Sequence, residues 1–328
     1  MGMTVTMAQP VGTDPADASE AFGEAARPRR PLALSPSRAS DFKSCPLLYR
    51  LRAVDRLPEP PSPAAVRGTL VHTVLEEMFG RPGPERTPRR TAEAVGPAWE
   101  RMAEQCPELV GMLPDEAMAG WLDSARDLVR SYFRLEDPRR FEPQACEYAV
   151  EIDTVDGVPL RGFIDRVDLA PTGELRIVDY KTGRSPGPDF EGRALYQLKF
   201  YALMIYRLRG VVPAQLKLIY LADGLSLQYA PSESELIGFS HAVGALWRAV
   251  TAALESGNFP ARRGPMCRWC THQALCPEYG GTPPPYPGAP SPGAPSSGAL
   301  STGPPAAGAP VAVVGADPIG PGVTAGTF

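Results

Sequence analysis

The sequence predicts a mixed α/β fold in which one β-sheet is flanked by helices. Residues 146–153, 160–170 and 174–182 are short segments rich in β-branched and aromatic residues, with turn signals between them, which is typical of a β-meander. Helical patterns precede these segments, and a helix, two strands and a long helix follow them. This order of elements favours a mixed sheet with helices packed on it.

The first part of the predicted fold is helical. Ser and Pro at residues 35–36 are the start signal of a short capped helix. Residues 64–80 carry apolar side chains at a spacing of four and end in glycine, which predicts an amphipathic helix. Residues 91–105 and 115–135 are predicted to be helical as well. The chain from about residue 64 to residue 135 is therefore expected to be a helical insertion.

The last part of the predicted fold alternates between helix and strand. Residues 194–209 predict a helix, and residues 214–222 and 225–230 predict two strands. Residues 232–256 predict a long helix. These elements complete the expected sheet and the helices that cover it.

Both ends of the chain differ in composition from the part between them. Residues 1–30 are polar and rich in alanine, and residues 281–328 consist mostly of Pro, Gly, Ala and Ser with almost no charge. Such segments bury too little apolar surface to offset the entropy lost on ordering, so we expect both to be disordered. The folded part is predicted to be one domain over residues 31–280.

The composition is that of an ordinary soluble protein and limits the function only broadly. The 328 residues are 43% hydrophobic and 21% charged, with a formal net charge of -4, which argues against a protein that is basic over its whole surface. A local basic groove stays open, because pairs of adjacent arginines recur. The sequence has no apolar run long enough for a membrane span and no apolar N-terminal stretch of the signal-peptide type, so we expect a cytoplasmic protein.

One predicted hairpin brings acidic side chains together. If residues 171–173 form its loop, counting outward in register places Asp165 opposite Asp179. Opposite side chains of an antiparallel pair lie about 4.5–5.5 Å apart, and Lys181 shares the face of Asp179 because side chains alternate along a strand. Two facing carboxylates repel each other. A divalent cation such as Mg²⁺ or Mn²⁺, which prefers oxygen ligands, would remove the repulsion.

Two interpretations of this hairpin are open on these residues alone. The charges can be exposed on a sheet face that tolerates them, and a register shifted by one residue would turn them to the other face. In the second interpretation the two acids bind a cation. Lys181 then positions or activates the attacking water and stabilises the charge that develops on a phosphate.

The order of the motifs resembles that of the PD-(D/E)XK nuclease superfamily and, within it, of the RecB-type and Cas4-like nucleases. The segment "GFIDRVD", which contains Asp165, is similar to the family's strand with the first metal-binding Asp. The segment "IVDYKTG", which contains Asp179 and Lys181, is similar to the family's D-x-K strand. The match runs from about residue 37 to residue 277, which is nearly all of the predicted domain.

The resemblance implies a restriction-endonuclease-like sheet and further site residues. His72, in "GTLVHTVLEEMF", matches the family's helical histidine, an additional metal ligand, and the main-chain carbonyl of Tyr180 is within reach of the same ion. Glu147, in the first predicted strand, ranks below these two as a ligand. "QLKFY" resembles the family's Q-x-x-x-Y helix: Gln197 and Tyr201 either pack that helix on the sheet or face the active site and DNA.

Three cysteines lie close together near the end of the predicted domain, at Cys267, Cys270 and Cys276. In a reducing compartment such a cluster is expected to bind metal, but zinc or an iron–sulfur cluster usually takes four ligands. His272 can complete a local zinc site. In the iron–sulfur branch of the family one cysteine comes from the N-terminal helix instead. The resemblance then implies that Cys45 completes a [4Fe–4S] cluster, which clasps the two ends of the domain together.

The resemblance implies a metal-dependent DNA nuclease, more often an exonuclease than an endonuclease, that serves repair or recombination. The expected partner is DNA that is single-stranded or has free ends. Because the chain lacks the G-x-x-x-x-G-K-[ST] phosphate loop, any helicase activity would come from a partner protein. The alternative is an iron–sulfur subunit that binds DNA or acts as a scaffold without cleaving it. The complete set of Asp165, Asp179 and Lys181 argues against that alternative.

Overall fold

The structure is a computed structural model that describes residues 32–154, 156–187 and 191–288. The predicted N-terminal segment, residues 1–30, and the predicted tail beyond residue 288 lie outside the described residues. In the described part the predicted mixed α/β fold is confirmed, because one five-stranded sheet is flanked by helices. No helix of the described part is long and apolar enough to cross a membrane.

The five strands form a single mixed sheet. They are β1 (Ala145–Asp153), β2 (Pro159–Leu169), β3 (Leu175–Lys181), β4 (Gln215–Tyr220) and β5 (Leu225–Tyr229). Their spatial order is the same as their order in the chain. Strands β1, β2 and β3 form the predicted antiparallel meander, β4 runs parallel to β3, and β5 returns antiparallel to β4.

The helices of the described part follow the predicted pattern. They are α1 (Pro36–Ser44), α2 (Pro46–Tyr49), α3 (Pro63–Phe79), α4 (Pro88–Glu93), α5 (Val95–Gln105), α6 (Asp115–Leu135), α7 (Glu191–Arg209) and α8 (Glu233–Ser256). The start of α1 is capped as the sequence predicts, because the hydroxyl of Ser35 accepts a hydrogen bond from the main-chain N–H of Arg38 at 3.3 Å. A π-helical segment (Arg50–Val54) continues the chain after α2.

The hairpin of β2 and β3 has the register that its turn predicts. The main-chain N–H of Ala170 donates to the carbonyl of Glu174 at 2.9 Å, and Arg166 lies opposite Val178. One residue further from the turn on each strand are Asp165 and Asp179. The two acids therefore occupy the opposite positions that counting from the turn predicts.

Each face of the sheet packs against its own helices. On one face, buried side chains of α7 and α8 cover β2, β3 and β4. On the other face, α3, α5 and α6 cover the sheet. Alternation along β3 explains the division, because Ile177 belongs to the first core and its neighbour Val178 to the second. Helices α3 and α7 consequently approach the end of β3 from opposite faces.

A buried ion network lies beneath β2 and β3 on the face covered by α6. Arg166 is 0% exposed and pairs with Glu136 at 2.8 Å and with Asp168 at 2.9 Å. Its guanidinium also donates to the hydroxyl of Tyr180 at 2.6 Å. Lys217, on β4, pairs with the other carboxyl oxygen of Glu136 at 2.7 Å. Because the charges are paired, the network can stay buried and connect α6 to three strands.

The packed part of the chain continues past residue 280, where the sequence predicts the tail to begin. Tyr286 donates its hydroxyl to the carbonyl of Leu254 at 2.6 Å and packs against the ring of Phe259, with ring centroids 5.5 Å apart. This single aromatic residue supplies the apolar area that the Pro and Gly residues around it lack. Tyr286, which the sequence assigns to the tail, therefore contacts the end of α8 and Phe259.

Candidate active site

The two acids predicted to face each other are buried. Asp165 is 9% exposed and Asp179 is 1% exposed. One carboxyl oxygen of Asp165 accepts a hydrogen bond from the main-chain N–H of Tyr180 at 2.7 Å. The strand that carries Asp179 thereby orients the acid on the neighbouring strand.

His72, on α3, lies against the same strands. Its Nδ1 atom is 3.5 Å from a carboxyl oxygen of Asp165 and 3.8 Å from one of Glu147, and its Nε2 atom is 3.0 Å from the main-chain carbonyl oxygen of Tyr180. With a proton on Nε2 that donates to this carbonyl, a neutral His72 would present the lone pair of Nδ1 to an ion held by the acids. Without an ion, Nδ1 also carries a proton, which faces the acids. The main chain of Tyr180 thus contacts both candidate ligands, Asp165 through its N–H and His72 through its carbonyl.

His72, Glu147 and Asp165 form a group that could hold a metal ion, because one ligand atom of each lies within 4.8 Å of the others. Within this group Glu147 has an unusual main-chain conformation, because its φ is 45° although it lies in β1. That conformation costs energy for a residue other than glycine and is concentrated at functional sites. Two carboxylates and one imidazole are a donor set compatible with Mg²⁺ or Mn²⁺.

Asp179 lies outside this group of three and contacts Lys181 instead, with a carboxyl oxygen 2.6 Å from the Nζ atom. Burial and the charge of Asp165 raise the pKa of Asp179 to about 7. Burial alone would lower the pKa of His72, but the charge of Asp165 and hydrogen bonding to it raise that pKa to about 10. Both shifts show that the buried cluster concentrates negative charge, which a bound cation would neutralise.

Gln197 and Tyr201, on α7, face the same site and hold the lysine. The Nζ atom of Lys181 donates to the side-chain carbonyl of Gln197 at 2.7 Å, and the amide nitrogen of Gln197 donates to the hydroxyl of Tyr201 at 2.9 Å. The ring of Tyr201 lies directly on the main chain of β2 at Gly162, where an added Cβ would be 2.6 Å from the ring. Only glycine leaves room for this close approach.

The four cysteines that the sequence singles out line one cavity of about 670 Å³ between α1 and the C-terminal loop; they are Cys45, Cys267, Cys270 and Cys276. Burial raises the pKa of Cys270, and the nearby Cys45 and Cys267 thiols raise it further. The loop is tied to α1, because the guanidinium of Arg262 donates to the main-chain carbonyl of Lys43 at 2.8 Å. Residues from the two ends of the domain therefore meet at this cavity.

His272, the alternative fourth ligand, has a different environment. It is 4% exposed, and its Nε2 atom lies 2.8 Å from a carboxyl oxygen of Glu59. Glu59 also accepts hydrogen bonds from Arg52 at 2.9 Å and from the hydroxyl of Thr271 at 2.7 Å. This geometry directs His272 toward an acid, whereas Cys45 faces the same cavity as the three clustered cysteines.

The sequence predicts Asp165, Asp179 and Lys181 on one face, and the structure brings Asp179 and Lys181 within 2.6 Å of each other. Glu147, which the sequence ranks below the other ligands, lies in the group with His72 and Asp165. In the sequence Glu147 is one of several acids in β1, and its φ of 45° is a main-chain property that residue type does not reveal. A signal appears only once the strand pairing is known, because Cys146 and Tyr148, the neighbours of Glu147, pair with Arg166 and Ile164, the neighbours of Asp165. The pairing of β1 with β2 therefore has to be known before Glu147 can be recognised.

The chain is similar in sequence to one protein family and to two phage proteins. A family model described as the PD-(D/E)XK nuclease superfamily matches residues 33–277. The Gene 69 protein of Mycobacterium phage L5 is 26% identical to the chain over 292 residues, which is 75% of this chain and 96% of that protein. The Gene 69 protein of Mycobacterium phage D29 is 29% identical over 206 residues, which is 54% of this chain and 70% of that protein.

The fold also resembles a solved structure. The crystal structure of a candidate exonuclease from Eubacterium rectale superposes with a TM-score of 0.50 and 15% identity, over 73% of this chain and 87% of that chain. At this identity the likeness concerns the fold alone. The family match, in contrast, spans the whole sheet, the acidic cluster and the four cysteines. The chain therefore belongs to the PD-(D/E)XK nuclease superfamily.

Proposed function

We propose that this chain is a metal-dependent deoxyribonuclease of the RecB type, which degrades DNA from free ends. The observation that carries the proposal is the position of Asp165 opposite Asp179, with Lys181 in contact with Asp179 and His72 beside Asp165. The stability of the fold does not require buried acids and a fixed lysine together at this place. Action at ends is part of the proposal, and the cleavage assay below tests it.

In this proposal His72, Glu147 and Asp165 would hold a divalent cation, and Asp179 lies on the strand next to that of Asp165. The residues fit such an ion because two carboxylates and one imidazole present ligand atoms within 4.8 Å of one another. A bound Mg²⁺ or Mn²⁺ ion supplies charge stabilisation to the phosphoryl group and makes water a better nucleophile. The Tyr180 carbonyl contributes by orienting His72 rather than by contacting the ion.

Lys181 positions the attacking water and stabilises the charge that develops on the phosphate. Its Nζ atom is held between Asp179 at 2.6 Å and Gln197 at 2.7 Å, so the ammonium group has a defined position. A charge that is already oriented needs no reorganisation during the reaction, which makes it more effective than a mobile one. Gln197 and Tyr201 are therefore positioning residues in this proposal, since they act through the lysine.

We also propose that the four cysteines hold a [4Fe–4S] cluster that stabilises the fold and takes no part in hydrolysis. The support is that Cys45 lines the same cavity as the C-terminal cysteines, while His272 contacts Glu59. The enzyme would act in the cytoplasm in DNA repair or recombination. A separate protein would supply any helicase activity that its pathway needs.

The test is a cleavage assay with end-labelled linear DNA and covalently closed circular DNA, each with Mg²⁺ or Mn²⁺. We expect the linear DNA to be degraded and the circle to resist. Lys181→Ala should lower the rate by about 10²-fold or more. Lys199→Ala is the matched control, because Lys199 is exposed to a similar extent (28% against 32%) and pairs with Glu235 away from the site.

Three outcomes would contradict the proposal in whole or in part. Full activity of Lys181→Ala would remove the lysine from the mechanism. Binding of DNA by the unaltered protein without any cleavage would favour the non-cleaving iron–sulfur subunit. Rapid cleavage of the circle would leave the nuclease in place but make it an endonuclease.

A further inference from the structure

A cavity of about 530 Å³ adjoins the candidate active site, because Lys181, Gln197 and Tyr201 form part of its wall. The start of α1 and the neighbouring part of β2 form the rest. Among the described residues that line this cavity, the charged ones are Arg38, Arg161 and Lys181, and none is acidic. The charged side chains that an anionic ligand would meet in this cavity are therefore all positive.

Phe163 gives the same cavity an aromatic surface. It is 39% exposed although it lies within β2, and the guanidinium of Arg161 is 5.7 Å from the centre of its ring. Arg161 pairs with Glu151 at 3.1 Å, but 69% of the Glu151 side chain is exposed, so this pair is weak. A phosphate can replace Glu151 as the partner of Arg161 while a base stacks on the ring of Phe163.

The cysteine-lined cavity adjoins this one, because Ser40 and Tyr196 line both. In the second cavity the Nζ atom of Lys43 lies 4.3 Å from the centre of the Tyr196 ring. The one acid among its described lining residues, Glu278, pairs with Arg263 at 3.1 Å. The two cavities together, here called the basic groove, thus carry an excess of positive charge in a protein whose formal net charge is -4.

We propose that the basic groove binds a single strand of DNA, which runs from the active site toward the cysteine loop. This inference rests on the proposed nuclease and adds the path of its substrate. The cavity of about 530 Å³ beside the active site lies in the range of small-ligand pockets, which suits nucleotides in single file and not a duplex. The cluster proposed for the four cysteines would take up part of the second cavity. An exposed aromatic ring also stacks on unpaired bases, and a duplex offers none along its length.

Individual side chains have distinct roles along this path. Phe163 stacks on a base next to the active site, and Arg161 binds a phosphate beside that base. Lys43 binds a phosphate farther along, beside Tyr196, which lines both cavities. These three residues lie outside the acidic cluster, so they determine strand binding and not the chemical step.

The test measures binding of a fluorescent single-stranded oligothymidine by anisotropy, without divalent metal, so that no cleavage occurs. The variants are Arg161→Gln, Phe163→Ala and Lys43→Gln. We expect Phe163→Ala to raise the Kd by about 5- to 100-fold, the range of one base–aromatic stack. Arg161→Gln and Lys43→Gln should each make the slope of log K against log salt shallower by about 0.7, the value for one phosphate contact with a single strand.

Two controls separate these effects from general losses of charge or apolar surface. Arg89→Gln removes an arginine whose side chain is 87% exposed and which pairs with Glu93. Leu169→Ala removes an exposed apolar side chain from the end of β2, the strand of Phe163. Both should bind the oligonucleotide like the unaltered protein. All five variants should keep the melting temperature within a few degrees, because each altered side chain is at the surface or beside a cavity.

The proposal fails if the groove variants keep the Kd and the salt slope of the controls. It also fails if duplex DNA or single-stranded RNA binds more tightly than single-stranded DNA and loses affinity in the same variants. A different result would contradict the nuclease assignment. A protein that binds the single strand through this groove but never cleaves it supports the groove and contradicts the proposed function. Normal cleavage with unchanged binding in the groove variants contradicts the groove alone.

Discussion

Tyr180 organises the candidate metal site through its main chain. Its N–H donates to Asp165 and its carbonyl faces His72, while its hydroxyl accepts a hydrogen bond from Arg166 of the buried ion network. Because the main chain of Tyr180 contacts the site and its side chain contacts the network, the buried ion network supports the site directly. A D-x-K pattern predicts the acid and the lysine on either side of Tyr180, but not this role.

At the residue scale, Glu147 provides the first prediction. Glu147→Gln removes one negative charge from the group with His72 and Asp165 and keeps the side-chain size. We expect the Mg²⁺ concentration for half-maximal cleavage to rise by about 10- to 100-fold, a typical cost of disturbing a metal shell. Asp153→Asn, an exposed change at the end of the same strand, is the control. An unaltered metal dependence in Glu147→Gln would show that this residue is no ligand.

Gly162 provides a second prediction at the residue scale. Gly162→Ala places a Cβ 2.6 Å from the ring of Tyr201, so the ring must move and carry Gln197 and its bond to Lys181 with it. We expect cleavage to slow by up to about 10²-fold, as displacement of a catalytic group by about 1 Å can produce.

The control is Gly120→Ala in α6, where the added Cβ meets nothing within 4 Å. It should keep full activity and gain a little stability, because alanine favours helix over glycine. If Gly162→Ala cleaves DNA at the normal rate, the close approach of Tyr201 does not fix the lysine.

At the scale of elements, the hairpin of β2 and β3 was predictable because its turn fixes the register. Pro171 to Gly173 determine which residues face each other, and simple counting then reaches Asp165 and Asp179. The link between β1 and the site was not predictable in the same way. The chain adopts a φ of 45° at Glu147, a main-chain conformation that the residue type does not reveal.

The ion network between α6 and the sheet gives a prediction on pH. Burial would raise the pKa of Glu136, but Arg166 and Lys217 lower it from 4.5 to about 2. A carboxyl whose pKa is lower in the folded state stabilises the fold fully above pH 4.5, and this contribution is lost as the pH falls toward 2. The difference corresponds to about 3 kcal/mol.

Glu136→Gln should therefore be less stable than the unaltered protein at pH 7 and lose less stability between pH 4.5 and 2. The measurement is the free energy of unfolding in urea at several pH values. Glu93→Gln, which alters an exposed pair with Arg89, should follow the unaltered protein. Parallel pH profiles for Glu136→Gln and the unaltered protein would show that the buried pair does not set acid stability.

At the scale of the whole molecule, contacts join the two ends of the domain. Arg262 contacts Lys43 across 219 residues, and Thr271 contacts Glu59 across 212 residues. Local patterns contain no information about such pairings, because both ends look like short helical or loop segments by themselves. The family resemblance, and not the spacing of the C-terminal cysteines, indicated that Cys45 belongs with them. The docking of Tyr286 was missed for a similar reason, since the composition around it is that of a disordered tail.

The proposed [4Fe–4S] cluster, which would link the two ends of the domain (the clasp), gives a prediction at this scale. Protein purified without oxygen should be brown and contain iron, and Cys45→Ser should lose most of the colour and melt at a lower temperature. The stability falls because a link across more than 200 residues restricts the unfolded chain strongly. His272→Ala should keep the colour. Stoichiometric zinc without iron in the anaerobic protein, together with loss of metal in His272→Ala, would contradict the clasp and favour the local zinc site.

The most direct test of the metal-dependent active site combines metal binding and cleavage on the same samples. Bound Mn²⁺ is counted by electron paramagnetic resonance, and degradation of end-labelled single-stranded DNA is followed in parallel, for the unaltered protein and for Asp165→Asn. We predict that the unaltered protein binds Mn²⁺ and cleaves, and that Asp165→Asn loses Mn²⁺ affinity and cleavage together while still binding the oligonucleotide. Cleavage by Asp165→Asn at the normal rate, with normal Mn²⁺ binding, would contradict the assignment of the active site to β2 and β3.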